Sequence, residues 1–486
     1  MSIPIEIGDR RELLLDDFLA AEFEGGAHLR LHQPVPREAA LVIDRPWEGC
    51  MGAFTTVLHD GEQYRMYYRG WQMDLDGFSG MSALRPVTIC MAKSADGLHW
   101  ERPPINSFNY QGITQNNIVW MGEGEELWGM HGFGVFIDTN PACPPEKRWK
   151  AVGAPWKKST TGLHLMTSPD GIDWAIESPE PFFSGYALDS HNLAFWDAWR
   201  SEYRACFRHW TKDAFSGRRT IMTTTSPDLI DWDEPVALQY PGAPPEELYI
   251  NNIQPYYRAP HIFVGLPARY VERKWTPSME GLPELEHRRL RSNANERFGT
   301  ALSDAVFMSS RDGVTYRRWG EAFIRPGLRS DGNWTYGDNF LAWGMLETDS
   351  DQPGGGKELS FYNSEGYWRG ESTTFRRHTL RIDGFVSLNA PLAGGELITK
   401  PLLFTGSRLS LNLSTSAAGN MHVEIQDGAG KPIPGFGLDE CWEIIGDSLD
   451  YTARWKGGVD VSGLSGTPVR LRFVLRDADL YSFQFD

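Results

Sequence analysis

The sequence predicts an all-β protein, a five-bladed β-propeller followed by a β-sandwich. Three observations predict it. One loop signature, S-x-D-G-x-x-W, recurs through the first two thirds of the chain; each copy joins two short β-type runs; and past Phe375 the pattern changes to short strands separated by Gly and Asp turns.

The copies are Ser94–Trp100, Ser168–Trp174, Ser226–Trp232 and Ser310–Tyr316; the third has Leu229 where the others have glycine. Ser and Asp side chains bond turn amides, glycine supplies positive φ, and the ring anchors the turn from below, so the signature is structural rather than catalytic. Upstream of the hairpins lie further strand pairs, Phe54 to Tyr68, Leu193 to Phe207 and Ile253 to Leu266. Two hairpins per repeat make a four-stranded antiparallel blade. Phe340 to Trp368 repeats the plan weakly and is expected to form the fifth blade. Helical periodicity is scarce: Glu280 to Arg291 is the best candidate, inside an insertion at 275–298 that reads as a long covering or functional loop. The strand pattern of Val386–Leu388, Leu409–Leu413, His422–Gln426, Val469–Val474 and Tyr481–Phe485 is that of a sandwich. The expected domains are 1–374, the propeller, and 375–486, the sandwich.

Composition sets the function classes. A formal charge of −17 disfavours nucleic acid and anionic membrane as partners, because no broad basic field is available. Met1 to Arg11 has neither a basic nor an apolar leader region, which gives the expectation of a cytoplasmic protein. The five cysteines (50, 90, 143, 206 and 441) show no C-x-x-C spacing and read as buried small apolar residues. H-E-x-x-H, phosphate-loop and G-x-S-x-G motifs are absent, so no metal or cofactor is expected.

In a propeller the innermost strand of each blade lines the axis, and polar residues just before it face the central cavity. Those segments are Trp47-Glu48, His131-Gly132, Asp189 to Asn192, Glu246 to Asn252 and Trp334 to Asn339. Carboxylates beside aromatic rings suit a sugar: acids flank the scissile bond, amides bind hydroxyls, and rings stack on the apolar sugar face. The candidate catalytic residues are Glu48, Asp189, Glu247 and Asp338, with Asp189 and Glu48 foremost and Glu246 competing for the acid role. The candidate substrate-binding residues are Trp47, His131, His191, Asn192, Trp210, Tyr249, Asn251, Trp334 and Tyr336. The plainer alternative is that each acid caps a strand or bonds loop amides.

The S-x-D-G-x-x-W hairpins in a five-repeat all-β region, followed by a sandwich, resemble glycoside hydrolase families 32, 43 and 68, and most closely bacterial proteins described as family-32-like glycosidases. The resemblance implies a hydrolase that removes a terminal sugar from an oligosaccharide, with carbohydrate as partner. The W-x-N-D-P-N-G, R-D-P and E-C segments of family 32 are missing from the propeller region of this sequence. The alternative function is therefore a non-catalytic carbohydrate-binding or scaffold propeller.

Overall fold

The computed structural model describes residues 3–72, 86–122, 130–155, 162–212, 216–368 and 373–486. The chain forms two compact units. One comprises Pro34–Tyr256 and Pro260–Leu380, the other Met1–Gln33, Tyr257–Ala259 and Arg381–Asp486. The first 33 residues thus belong with the C-terminal segment and not with the propeller repeats.

The first unit is a five-bladed propeller. Blade one consists of Ala53–His59, Tyr64–Gly70, Thr88–Ser94 and Ile118–Met121, paired in that order. Blade two runs Met130–Ile137, Trp149–Pro155, His164–Ser168 and Ala175–Ile176; blade three runs Leu193–Asp197, Glu202–Trp210, Arg219–Ser226 and Val236–Ala237. Blade four has six strands, because the run from Ala259 to Glu272 is broken into two segments that both pair with Ala301–Ser310, and Glu247–Leu248 adds a further strand against the second segment. The inner strands are almost wholly buried, as strands packed on both faces must be.

The fifth blade differs from its expected extent. Its strands are Leu346–Asp349, Lys357–Glu365 and Thr373–Arg381, and the fourth place is taken by Val35–Ile43 from the N-terminal side of blade one. Thr373 lies opposite Ile43 and Thr379 opposite Val35. Fully exposed edges are the liability of open sheets, and this pairing covers the edge that the last repeat leaves. Blade one also contacts blade five on its inner side, where Val57 N donates to Trp343 O at 2.7 Å.

The four signature turns share one geometry. Ser94, Ser168, Ser226 and Ser310 each accept, through Oγ, the amide of the residue three places on, every time at 2.9 Å. The aspartates accept the next two amides, and Trp100, Trp174 and Trp232 return an indole hydrogen bond to the turn at 3.1 Å. Each turn docks on the blade before it. A Cβ added to Gly171 would lie 2.5 Å from the Tyr67 hydroxyl, one on Gly313 2.8 Å from the Arg204 guanidinium, and one on Gly97 2.7 Å from Thr348. Tyr67 and Arg65 also donate to the carbonyls of Gly171 and Asp170, at 2.9 and 2.6 Å. The signature is a seam between blades as well as a tight turn.

The insertion of blade four is helical and not a covering loop without structure. It forms Pro277–Glu280, Leu285–Ala294 and Glu296–Thr300, with Thr276 and Asn295 accepting amide hydrogens at the starts of the first and third helices.

The second unit contains ten strands in one hydrogen-bonded network. Leu409–Asp427 and Val469–Phe485 form its long axis, with register shifts at Asn412/Leu413 and Thr415/Asn420. Such bulges bend and twist the two long strands, which carry the pairing of most of the network. Leu388, Leu397, Leu411, Val423, Trp455, Leu471 and Phe473 fill its core. All five cysteines are unpaired, and Cys143 corrects the expectation of burial: it is half-exposed, with Lys150 Nζ 3.0 Å from its sulfur.

The seam geometry makes a paired test. Gly61 and Gly171 both have positive φ, 104° and 78°, but a Cβ at Gly61 meets nothing within 4 Å. Gly61→Ala costs the backbone strain alone, about 1 kcal/mol. Gly171→Ala adds a collision with Tyr67 and the Trp149 ring and is expected to cost at least about 2 kcal/mol more. Chemical denaturation of both variants checks this, and equal losses would remove the seam.

Candidate functional site

Three kinds of strand position meet at one end of the propeller axis. In register, Ser94 faces Tyr64 and Ser226 faces Tyr203. Arg69 and Arg208 each follow five residues after those tyrosines, on the second strands of blades one and three, and both are buried. Arg219 opens the third strand of blade three, and the helices of the insertion bring Arg291, Arg297 and Phe298. Between them lies one aromatic cluster that includes Phe54, Tyr249, Tyr270, Phe298, Tyr336 and Tyr367.

The guanidiniums stack on these rings. Arg208 and Arg219 lie 4.9 and 5.1 Å from the Tyr249 ring, and Arg219 also lies 4.4 Å from Tyr270 and 4.3 Å from Trp210. Arg297 is 4.6 Å from Phe298 and 5.9 Å from Tyr336. Arg69 lies 4.4 Å from the Phe54 ring and donates to the Tyr367 hydroxyl at 3.3 Å. The hydroxyls of Tyr249 and Tyr336 are 3.0 Å apart.

Acids enter this cationic ring at three points. Asp189 is ion-paired with Arg208 and Glu247 with Arg219; their side chains remain 31% and 22% exposed, so both are accessible to solvent. Asp338 is buried. Its Oδ1 accepts the Tyr367 amide at 2.9 Å, and its Oδ2 is buried without a hydrogen-bond partner among the described residues. Burial pushes the Asp338 carboxyl up to about 8, against the Tyr367 amide and the Arg291 charge, so it holds its proton at neutral pH.

His131 lies between Arg69 and the rings of Phe54 and Trp71; burial, then Arg69 and Arg208, hold it well below the usual histidine range. It is neutral at pH 7. His191 also stacks on Phe54, with ring centroids 5.9 Å apart, is pushed by burial down to about 3, and places Nε2 3.4 Å from Thr56 Oγ1. Among the described residues no group of three or more His, Cys, Asp or Glu is arranged to hold a metal ion.

Of the residues expected from sequence, Asp189, Glu247, Asp338, His131, Trp210, Tyr249 and Tyr336 belong to this assembly. Glu48 does not act as an accessible acid. It is fully buried and accepts from Arg102, from Tyr68 Oη at 2.5 Å and from the amides of Asp44 and Arg45. With its oxygens thus occupied, it is an anchor for the approach to blade one. Trp47 donates to Asn117 at 2.7 Å and packs into the interior of that blade. Trp334 donates to Gly327 O and packs on the small cluster of Met279, Leu282 and Leu302, so it is a support for the insertion. Asn192 bonds the carbonyls of Leu188 and Ser190, and Asn251 those of His191 and Cys206; both fix backbone. Glu246 holds Arg269 and Arg318.

Sequence reasoning missed the arginines, because it searched only the segments before the inner strands. The signal was present in the repeats: Tyr67-Tyr68-Arg69 and Cys206-Phe207-Arg208 occupy the same place relative to their signature serines. Arg219, Arg291 and Arg297 carry no such repeat.

The buried, protonated Asp338 has a signed consequence. A carboxyl whose pKa is raised on folding contributes most below its unfolded value, near 4, and its contribution is lost as pH rises toward about 8. Asp338→Asn removes that loss. Relative to wild type, the variant is expected to gain stability across pH 4 to 8, by at most about 1.4 kcal/mol per unit. Thermal unfolding of both proteins through that range measures it, and parallel curves would show that Asp338 is not protonated.

No family model matches the chain, and none of the curated proteins does. Solved structures do. The chain is similar to a family 43 arabinoxylan arabinofuranohydrolase from Bacillus subtilis, with 11% identity and a TM-score of 0.43 over 92% of this chain and 99% of that one. It is also similar to the family 32 β-fructofuranosidase of Bombyx mori, with 10% identity and a TM-score of 0.42 over 94% of each. A third similar structure is an N-acetylgalactosamine deacetylase from F. plautii, with 11% identity and a TM-score of 0.44 over 72% of this chain and 96% of that one. At these identities the likeness is one of fold.

Proposed function

We propose that this protein is a glycoside hydrolase that takes a terminal sugar into the axial end of the propeller and cleaves its bond with carboxyl groups in two different states. The observation that carries the reading is the opposed surroundings of the acids. Asp189 and Glu247 are each ion-paired with a guanidinium and open to solvent, while Asp338 is desolvated and keeps its proton. Two-carboxylate hydrolysis needs this division, since one group donates a proton to the leaving oxygen as the other attacks carbon or activates water. In this reading Asp189 is the nucleophile or base and Asp338 the acid. The half-exposed Trp210 offers its ring to the sugar face.

The experiment is hydrolysis of a broad oligosaccharide panel, followed by NMR of the anomeric protons. Asp189→Asn and Asp338→Asn are each expected to lower kcat by about 10² to 10⁴-fold with folding retained, and Glu48→Gln to act through stability instead. The first anomer released tells retention from inversion. Binding of sugars with no turnover of any panel member would overturn the reading in favour of a binding propeller.

A further inference from the structure

We infer that the sugar recognised at the axial end carries an oxyanion, a carboxylate or a sulfate ester, held by Arg297 together with Arg208 and Arg219. The inference rests on the reading of this end as a sugar site and adds the chemical class of the sugar.

The argument begins with charge. Five guanidiniums converge here: Arg69, Arg208, Arg219, Arg291 and Arg297. An arginine does not shed its proton when buried, so each must be compensated or remain as a costly desolvated charge. Asp189 and Glu247 match Arg208 and Arg219. Asp338, protonated, matches none. Among the described residues Arg69 donates only to neutral groups, including the Tyr367 hydroxyl and two carbonyls, and Arg291 to Thr335 Oγ1 and Tyr336 O. Arg297 stacks on Phe298 and keeps a buried Nη1 without a partner among the described residues. With Glu272, which accepts from the Tyr270 hydroxyl at 3.1 Å, five guanidiniums still meet only three partnered carboxylates among the described residues, an excess of positive charge within a protein of net charge −17.

Tyr249 reports the resulting field from inside. Burial pushes its hydroxyl up, yet Arg208 and Arg219 outweigh burial and hold it below the usual phenol value. Its neighbours do not share this: burial holds Tyr336 well above that value and Tyr367 up at about 12. Arg208 and Arg219 thus both face the Tyr249 ring, at 4.9 and 5.1 Å, and their ion-pair partners Asp189 and Glu247 stay accessible on the same side as Trp210.

A neutral sugar leaves this excess in place. Neutral hydroxyls are served by mixed donors and acceptors, whereas a planar guanidinium fork matches the two oxygens of a carboxylate or sulfate. Asp189 and Glu247 then keep their own partners paired, and the incoming anion supplies what Arg297 lacks. Long-range attraction contributes little, because the net charge of the whole protein repels anions; recognition is short-ranged.

The test is binding by calorimetry and thermal shift to D-glucuronate, D-galacturonate and D-galactose 6-sulfate, with D-glucose and D-galactose as neutral counterparts and sodium acetate and sulfate as free ions. Acidic sugars are expected to bind at least tenfold tighter than their neutral counterparts. Arg297→Gln is expected to abolish that preference, and Arg297→Lys to restore it in part; the melting temperature of each variant shows that it folds. Tighter binding of uronates than of the sulfated sugar assigns a carboxylate, and the reverse order assigns a sulfate ester. Equal affinity for acidic and neutral sugars, an unchanged preference in folded Arg297→Gln, or binding of free acetate or sulfate as tight as that of the sugars would overturn the inference. Acidic-sugar preference without cleavage of any glycoside panel supports the inference while overturning the hydrolase reading, so the two failures are distinguishable.

Discussion

The propeller depends on one repeated contact, the docking of each signature turn against the blade before it. A four-stranded antiparallel sheet buries too little by itself, and stacking blades round an axis is what gives each one a second apolar face. The turn backbone comes close enough to its neighbour that a single methyl group at Gly97, Gly171 or Gly313 has no room. Blade three departs from the rule. Leu229 takes the left-handed conformation at φ 69° with its side chain buried, where the other three turns use glycine.

This arrangement fixes where chemistry can sit. Once the blades are set in a ring, the start of every inner strand and the end of every second strand arrive at the same end of the axis. Polar groups that are far apart in the chain, Arg69, Arg208, Tyr336 and Asp338 among them, become neighbours. The aromatic rings do two things there. They exclude water, which strengthens each electrostatic term, and their faces receive the guanidiniums that would otherwise be stranded. The buried proton on Asp338 is part of the same balance, since an ionised carboxylate there would neutralise Arg291 but lose most of its solvation.

The fold was legible in the sequence because its determinants are local. Ser, Asp, Gly and Trp at fixed offsets specify a hairpin without reference to the rest of the molecule, and four copies specify a ring. The fifth blade was legible only in part: its fourth strand comes from Val35–Ile43, and no local pattern announces a partner more than three hundred residues away. The site was legible where it follows from strand order. Asp189, Glu247 and Asp338 stand in the segments that strand order points to, and the fold brings them beside arginines; Glu48 satisfies the same rule yet is enclosed by Arg102 and Tyr68, which only the packing reveals. Arg291 and Arg297 lie on an irregular insertion, where spacing carries no information about direction.

The pairing of Val35–Ile43 with Thr373–Arg381 bears on how the chain is made. During synthesis the strand that finishes the ring emerges early, and its partner emerges after all four complete repeats. For that interval the nascent chain holds an unpaired β-edge at one end and an unclosed stack of blades at the other. Both are surfaces on which another copy can add a strand. Val35–Ile43 itself carries Arg37 and Glu38, charges of the kind that discourage such addition. Ring closure is therefore the step at which a sticky intermediate becomes a sealed one.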